Sequence, residues 1–154
     1  MLDIYQEFSE LVKEFEENSI DYALCGGLAV SVHGFLRATV DIDFVVLIES
    51  VNEIRSVVKK LGYLLEAEPM NFSNGKVRIH RFTKIDKESG DYIPLDLLIL
   101  SNDLMHIWEK RERLPFENGF VKVLNKEALI ELKLLRNSFQ DKQDIQQLKG
   151  ELNG

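Results

Sequence analysis

Two aspartates, Asp41 and Asp43, stand in an otherwise apolar stretch, Val40-Asp-Ile-Asp-Phe-Val-Val46. On an extended strand, side chains two apart share a face. Both carboxylates therefore point one way, and Ile42 and Phe44 point the other way into a core. Like charges on one face repel each other and are costly to desolvate. A divalent cation removes both penalties, and hard oxygen donors suit magnesium or manganese. The competing reading is a strand whose second face is simply wet, although an edge strand would be expected to mix in lysine or threonine.

Asp96 repeats the anomaly. It is the only charge in Ile93-Pro-Leu-Asp-Leu-Leu-Ile-Leu100, where Leu95, Leu97 and Ile99 form one face and leave Asp96 on the other. If the two strands are neighbours, Asp96 comes within side-chain reach of the Asp41/Asp43 pair. Three converging acids can hold two metal ions roughly 3.5–4 Å apart, the arrangement that serves in-line displacement at phosphorus. Alternatively, Asp96 caps a backbone group or pairs with an arginine such as Arg78 or Arg81.

Gly26-Gly27 falls between a short apolar strand, Asp21 to Cys25, and a helix-compatible stretch, Leu28 to His33. Missing Cβ atoms let a phosphate approach the backbone, and a helix start offers free N–H groups. A tight turn alone would also explain the pair. Arg37 is placed to contact phosphates near this loop, or to pair on the surface; Thr39 is placed to orient the first acid. His33, His80 and His106 are scattered without ligand spacing, which argues against zinc. Cys25, within a buried strand, reads as core rather than nucleophile. Trp108, with Leu104 and Ile107, reads as helix core.

Taken together, Gly-Gly-x-Ala at 26–29 followed by Arg-x-Thr-x-Asp-x-Asp at 37–43 resembles the nucleotidyltransferase superfamily that includes DNA polymerase β. The likeness is closer to its minimal bacterial members and to AbiEii-type toxin nucleotidyltransferases. The resemblance implies that Gly26 and Gly27 form the loop under the nucleotide phosphates. It implies that Asp41 and Asp43 bind both metals and that Asp96 ligates the metal that activates the attacking hydroxyl. Many members carry Gly-Ser where this chain has Gly-Gly, so a hydroxyl contact to phosphate is absent here. The C-terminal Leu129-Ile-Glu-Leu-Lys-Leu-Leu-Arg136 and Gln140-Asp-Lys-Gln-Asp144 resemble the AbiEii-type segment. There Lys133 would face the triphosphate and Asp144 would orient it or a neighbouring base. The plainer readings are a solvated Lys133 and an Asp141 that caps the last helix.

What the resemblance implies is transfer of a nucleoside monophosphate from a nucleoside triphosphate to an acceptor hydroxyl, with release of pyrophosphate. The acceptor could be an RNA end, a protein side chain or a small molecule. An antitoxin partner or a homodimer is compatible with it. The rival is a non-catalytic nucleotide-binding or partner-regulating module on the same fold.

These residues need a scaffold. Leu2, Tyr5, Phe8, Leu11, Val12 and Phe15 recur at helical spacing, which predicts a first helix ending near Asn18-Ser19. Thr39 to Ile48 reads as a central strand and Glu49 to Gly62 as a second amphipathic helix. Tyr63 to Glu68 and Lys76 to Lys84 read as strands around a Pro69/Asn74-Gly75 turn region. Asn102 can cap a helix over Asp103 to Arg111, Phe120 to Leu124 reads as a strand, and two helices follow at 126–138 and 141–149. This order predicts an α+β protein, a mixed sheet with helices packed on it and a short helical C-terminus. Residues 1–124 are expected to form the core and 125–154 a helical segment packed on the same domain.

Bulk composition agrees. With 154 residues, 45% hydrophobic and 29% charged, the chain is of one-domain size and able to bury a core. A formal charge of -7 argues against coating nucleic acid with a broad basic face. One cysteine excludes an intramolecular disulfide and suits a reducing cytoplasm. The N-terminus lacks a signal-peptide pattern, and no stretch approaches the roughly 20 apolar residues of a membrane span.

Overall fold

The computed structural model describes residues 1–35 and 37–150 of the chain. The end of the predicted C-terminal segment, 151–154, lies outside the described residues. Among these are eight strands in one sheet and six α-helices.

Helix α1 (Ile4–Glu17) is capped by the Asp3 carboxylate, which accepts from the Tyr5 and Gln6 amides. Its apolar stripe buries Phe8, Leu11, Val12 and Phe15. It leads to β1 (Ala23–Cys25), which runs directly into α2 (Gly26–Val32), and then to β2 (Ile42–Val45). Helix α3 (Val51–Lys60) is followed by β3 (Tyr63–Glu66), β4 (Met70–Phe72), β5 (Val77–Ile85) and β6 (Tyr92–Leu100). The short α4 (Met105–Glu109), the hairpin β7 (Arg111–Phe116) and β8 (Gly119–Leu124), and helices α5 (Lys126–Arg136) and α6 (Phe139–Leu148) complete the chain.

The strand order is β3-β5-β6-β2-β1-β8-β7, with β4 also pairing β5. The β2–β6 and β1–β8 pairs are parallel and the others antiparallel. The sheet is mixed, as the element order predicts.

One sheet face is closed by α1. The Phe15 ring meets Phe44 edge-on at 5.2 Å between centroids and Tyr22 at 5.6 Å, and Phe8 packs on both Phe44 and Phe116. Ile42 and Phe44 are fully buried on this side. The opposite face, carrying the acids, is roofed at one end by α5 and α6. Ser73, in the β4–β5 turn, donates its hydroxyl to the Leu135 carbonyl at 3.2 Å and ties that roof to the sheet.

Four local expectations are corrected. The strand expected from Thr39 begins only at Ile42, because Thr39 and Asp41 bond to each other in the preceding bend. The turn region after Pro69 contains β4. The helix expected over 103–111 is a 3-10 turn and five α-helical residues, and Arg111 already starts β7. That strand's charged residues and Pro115 mask it in sequence but suit the sheet edge it occupies. Finally, α6 starts at Phe139, not 141. Ser138 is its N-cap, and Asp141 is the reciprocal partner in a capping box.

Candidate active site

The parallel register of β2 and β6 sets Asp43 opposite Asp96. Asp41, one residue before β2, is held by Thr39, whose hydroxyl donates to Asp41 Oδ1 at 3.1 Å. One carboxylate oxygen from each of Asp41, Asp43 and Asp96 lies within 4.8 Å of the others. Burial pushes the Asp43 carboxyl well above the usual carboxylate range, and the charges of Asp41 and Asp96 push it further. Asp43 keeps a window to solvent through the cleft, but dense protein surrounds it elsewhere. An all-oxygen donor set under this strain fits a hard divalent cation, which would relieve the repulsion that the fold has built.

The third acid is not free of partners. Arg81 on β5 donates Nε to Asp96 Oδ1 at 2.7 Å and Nη2 to Oδ2 at 2.9 Å. The arginine alternative weighed in the sequence is therefore real for Arg81. Arg78, three positions away on the same strand, points to the other face. The two readings of Asp96 are compatible, because each carboxylate oxygen has a second lone pair.

Gly26 answers to the acids as much as to any ligand. Its φ is +70°, and a Cβ there would sit 2.2 Å from Asp43 Oδ2. A Cβ on Gly27 would sit 2.9 Å from the Thr39 side chain. The bare backbone lets Asp43 and Thr39 fold over it.

Across the cleft, α6 supplies two fully buried acids that hold three cations. Asp144 Oδ1 accepts from Arg37 Nε at 3.0 Å, and its Oδ2 lies 3.2 Å from Lys133 Nζ. The solvated reading of Lys133 is thus overturned, since its side chain is only 5% exposed. Gln140 adds a third donor to Asp144 at 3.0 Å. Asp141 takes Arg136 through both oxygens at 2.7 Å. Burial pushes the Asp141 carboxyl up, but hydrogen bonds from Arg136 and Ser138 outweigh it and bring it down to about 2. Gly26, Asp43, Lys133, Arg136 and Asp141 line one cleft.

The structure thus brings Asp41, Asp43, Asp96, Gly26, Gly27 and Thr39 into one cluster, with Lys133, Arg37 and Asp144 as a linked ion network beside it. Sequence reasoning offered Arg81 only as one of two arginine partners for Asp96, and missed Arg136 and Asp141 as members. The signal for the last two was present in the Arg136-x-x-x-x-Asp141 spacing at a helix–helix junction. The Cys25 thiol, beneath the acids, is pushed up by burial and then by Asp43, in keeping with its place in the core. The histidines lie apart from the acids. His33 faces the Leu124 carbonyl at 2.8 Å, His106 pairs with Glu131, and His80 is buried on β5.

A mixed sheet that sets Asp43 and Asp96 on neighbouring strands, with Asp41 just before the first and a Gly-Gly helix start against them, is the arrangement of a nucleotidyltransferase. The chain belongs to the family described as nucleotidyltransferase of unknown function (DUF6036), which matches residues 1–150. No curated protein sequence matches it. The fold is similar to that of the Thermotoga maritima protein TM1012, assigned as a nucleotidyltransferase, with a TM-score of 0.66 at 13% identity over 96% of this chain and 93% of that one. It is similar to ANT(2")-Ia in complex with adenylyl-2"-tobramycin, with a TM-score of 0.66 at 14% identity over 97% and 88% of the two chains. JHP933 from Helicobacter pylori gives a TM-score of 0.58 at 17% identity, over 94% of this chain and 63% of that one. At these identities the likeness is one of fold. No helix among the described residues is long and apolar enough to cross a membrane.

Proposed function

We propose that this protein transfers a nucleoside monophosphate from a nucleoside triphosphate to an acceptor hydroxyl. The acceptor oxygen bonds to the α-phosphorus, the bond from that phosphorus to the bridging oxygen breaks, pyrophosphate leaves and the hydroxyl proton passes to water. The observation that carries this reading is the cluster of Asp41, Asp43 and Asp96 beside a cleft in which Asp43 meets Lys133 and Arg136.

Asp41, Asp43 and Asp96 would hold magnesium or manganese, which when bound lowers the pKa of the acceptor hydroxyl and neutralises charge on the phosphates. Gly26 and Gly27 lie under the phosphates, and Thr39 fixes Asp41. Lys133 and Arg136 face the β- and γ-phosphates, positioned by Asp144 and Asp141, while Arg37 closes the same network. The chain's own contribution is position and charge, as phosphoryl-type transfer requires.

The acceptor is a small hydroxylated molecule, an RNA 3′ end or a protein side chain. The fold neighbour that holds an adenylylated antibiotic supports the first, and the AbiEii-like C-terminal segment supports a toxin reading with an antitoxin partner. The test is incubation with each labelled triphosphate, magnesium and cell extract, followed by identification of the labelled species. Metal-dependent label on one acceptor class, absent with the Asp41→Asn/Asp43→Asn protein, supports the reading. Equal labelling by that double variant would overturn it.

A further inference from the structure

Asp43, Asp96 and Arg81 stand side by side on three adjacent strands, because Asp43 pairs with Asp96 in the parallel register and Asp96 with Arg81 in the antiparallel one. Directly opposite residues share a face, so the row reads minus, minus, plus. The Arg81 fork takes both Asp96 oxygens, which fixes the plane of that carboxylate as well as its charge. Asp96 is 4% exposed and without Arg81 would face Asp43 uncompensated. Among the described residues no ion pair reaches Asp41 or Asp43. Only one of the three acids is therefore neutralised by protein, and it is the one on the strand away from the Gly-Gly turn.

We propose that Arg81 is a positioning residue for the transfer reaction: it holds the Asp96 carboxylate correctly turned before metal arrives, and leaves Asp41 and Asp43 as the open pair for the metal–nucleotide. This rests on the reading that the three acids form the metal site. The fork leaves one lone pair on each Asp96 oxygen, directed by the guanidinium plane. A ligand so aimed suits the metal that must touch an acceptor oxygen from outside the protein, where a small rotation misplaces the attack. Arg81 also subtracts charge from the acid cluster, so it weakens binding of bare cation while improving the geometry of the cation that is bound. Charge and fork are separable by substitution, since lysine keeps the first and not the second.

The experiment compares Arg81→Gln, Arg81→Lys and Asp96→Asn with the parent protein. Binding of Mn2+ alone is followed by calorimetry, melting without metal by circular dichroism, and label transfer from triphosphate in cell extract as a function of nucleotide concentration. Arg81→Gln is expected to bind Mn2+ several-fold more tightly. Its transfer should fall by roughly 10–100-fold, as for other residues that orient metal ligands, with the half-saturating nucleotide concentration unchanged. Arg81→Lys should return Mn2+ affinity toward that of the parent while transfer stays low. A merely structural ion pair would lower the melting temperature without tightening Mn2+. Unchanged or weaker Mn2+ binding by Arg81→Gln overturns the inference, and so does full transfer by either Arg81 variant. If Arg81→Gln does not fold, Arg81→Lys decides alone: low transfer at a parental melting temperature supports the role, and full transfer removes it. Asp96→Asn separates the two layers, because its retained transfer would withdraw the three-acid reading itself. Lost transfer in Asp96→Asn beside a fully active Arg81→Lys would remove only the role of Arg81.

Discussion

At the scale of single residues, the site is built from groups that the fold alone would not choose. Asp43 is enclosed with two like charges, and its carboxyl is pushed up first by burial, then by Asp41 and Asp96. Replacing Asp41 and Asp43 together by Asn removes that repulsion. The double variant should melt at or above the parent temperature without metal, gaining roughly 2–4 °C for each kcal/mol relieved, and should show no transfer. A marked fall in melting temperature would instead make these acids props of the fold, for breaking a buried ion pair costs about 3–5 kcal/mol. Gly26 provides the reverse case. Its positive φ and the 2.2 Å approach of Asp43 Oδ2 to a would-be Cβ leave no room for alanine. Gly26→Ala should cost about 1–3 kcal/mol in chemical denaturation and displace Asp43, so transfer should fall even where the variant stays folded. Unaltered stability would show that the turn adapts and that the glycine serves only the ligand.

At the scale of elements, the junction of α5 and α6 ends one helix, caps the next and positions a cation. Asn137 takes the left-handed conformation, φ +54°, to end α5, and Ser138 then caps α6. Asp141 completes the capping box and holds Arg136 at the cleft. Ser138→Ala removes the capping bond from the Asp141 amide and the hydroxyl's own bond to Asp141 Oδ2, and should cost about 1–2 kcal/mol. Asp141→Asn breaks the charged fork as well and should cost about 1.5–3 kcal/mol, with weaker nucleotide binding as Arg136 loses its hold. The pH dependence has a definite sign. The Asp141 carboxyl lies at about 2 in the fold and near 3.8 when free. Its stabilisation is therefore full above about pH 4 and is lost as pH falls from there toward 2. A parent-minus-Asp141→Asn stability difference that grows on acidification through that window would contradict the assignment.

The same elements show what a sequence carries and what it does not. Asp41, Asp43 and Asp96 were legible because an acid in an apolar strand is expensive wherever that strand pairs. Arg81 stood only as one of two candidates beside Arg78, since the choice between them is settled by strand register, which lies in tertiary packing rather than in local pattern. Arg136 and Asp141 were hidden for another reason, as basic residues at helix ends and acids in first turns are ordinary features of isolated helices. Strands β4 and β7 were missed because they are short or edge-bound, and pairing rather than alternation holds them in the sheet.

At the scale of the whole molecule, a protein with net charge -7 must take up a polyanion. The long-range field opposes a free triphosphate, and the three cations beside the cleft are already committed to Asp141 and Asp144. A divalent cation would change both terms: it would neutralise the acids on the sheet and part of the charge on the nucleotide. Metal and nucleotide should consequently bind together far better than either alone, because each completes the charge balance of the other. Thermal melting reads this directly. Saturation at a hundredfold excess over Kd adds about 2.7 kcal/mol, or roughly 5–11 °C for a chain of this size. Magnesium with the correct triphosphate should give that rise, and magnesium alone or triphosphate in chelator should give little. The Asp41→Asn/Asp43→Asn protein should lose the joint rise while keeping its own melting temperature. A triphosphate that stabilises the parent equally with and without metal would mean that Lys133, Arg136 and Arg37 bind it unaided, and the acids would then need a different explanation.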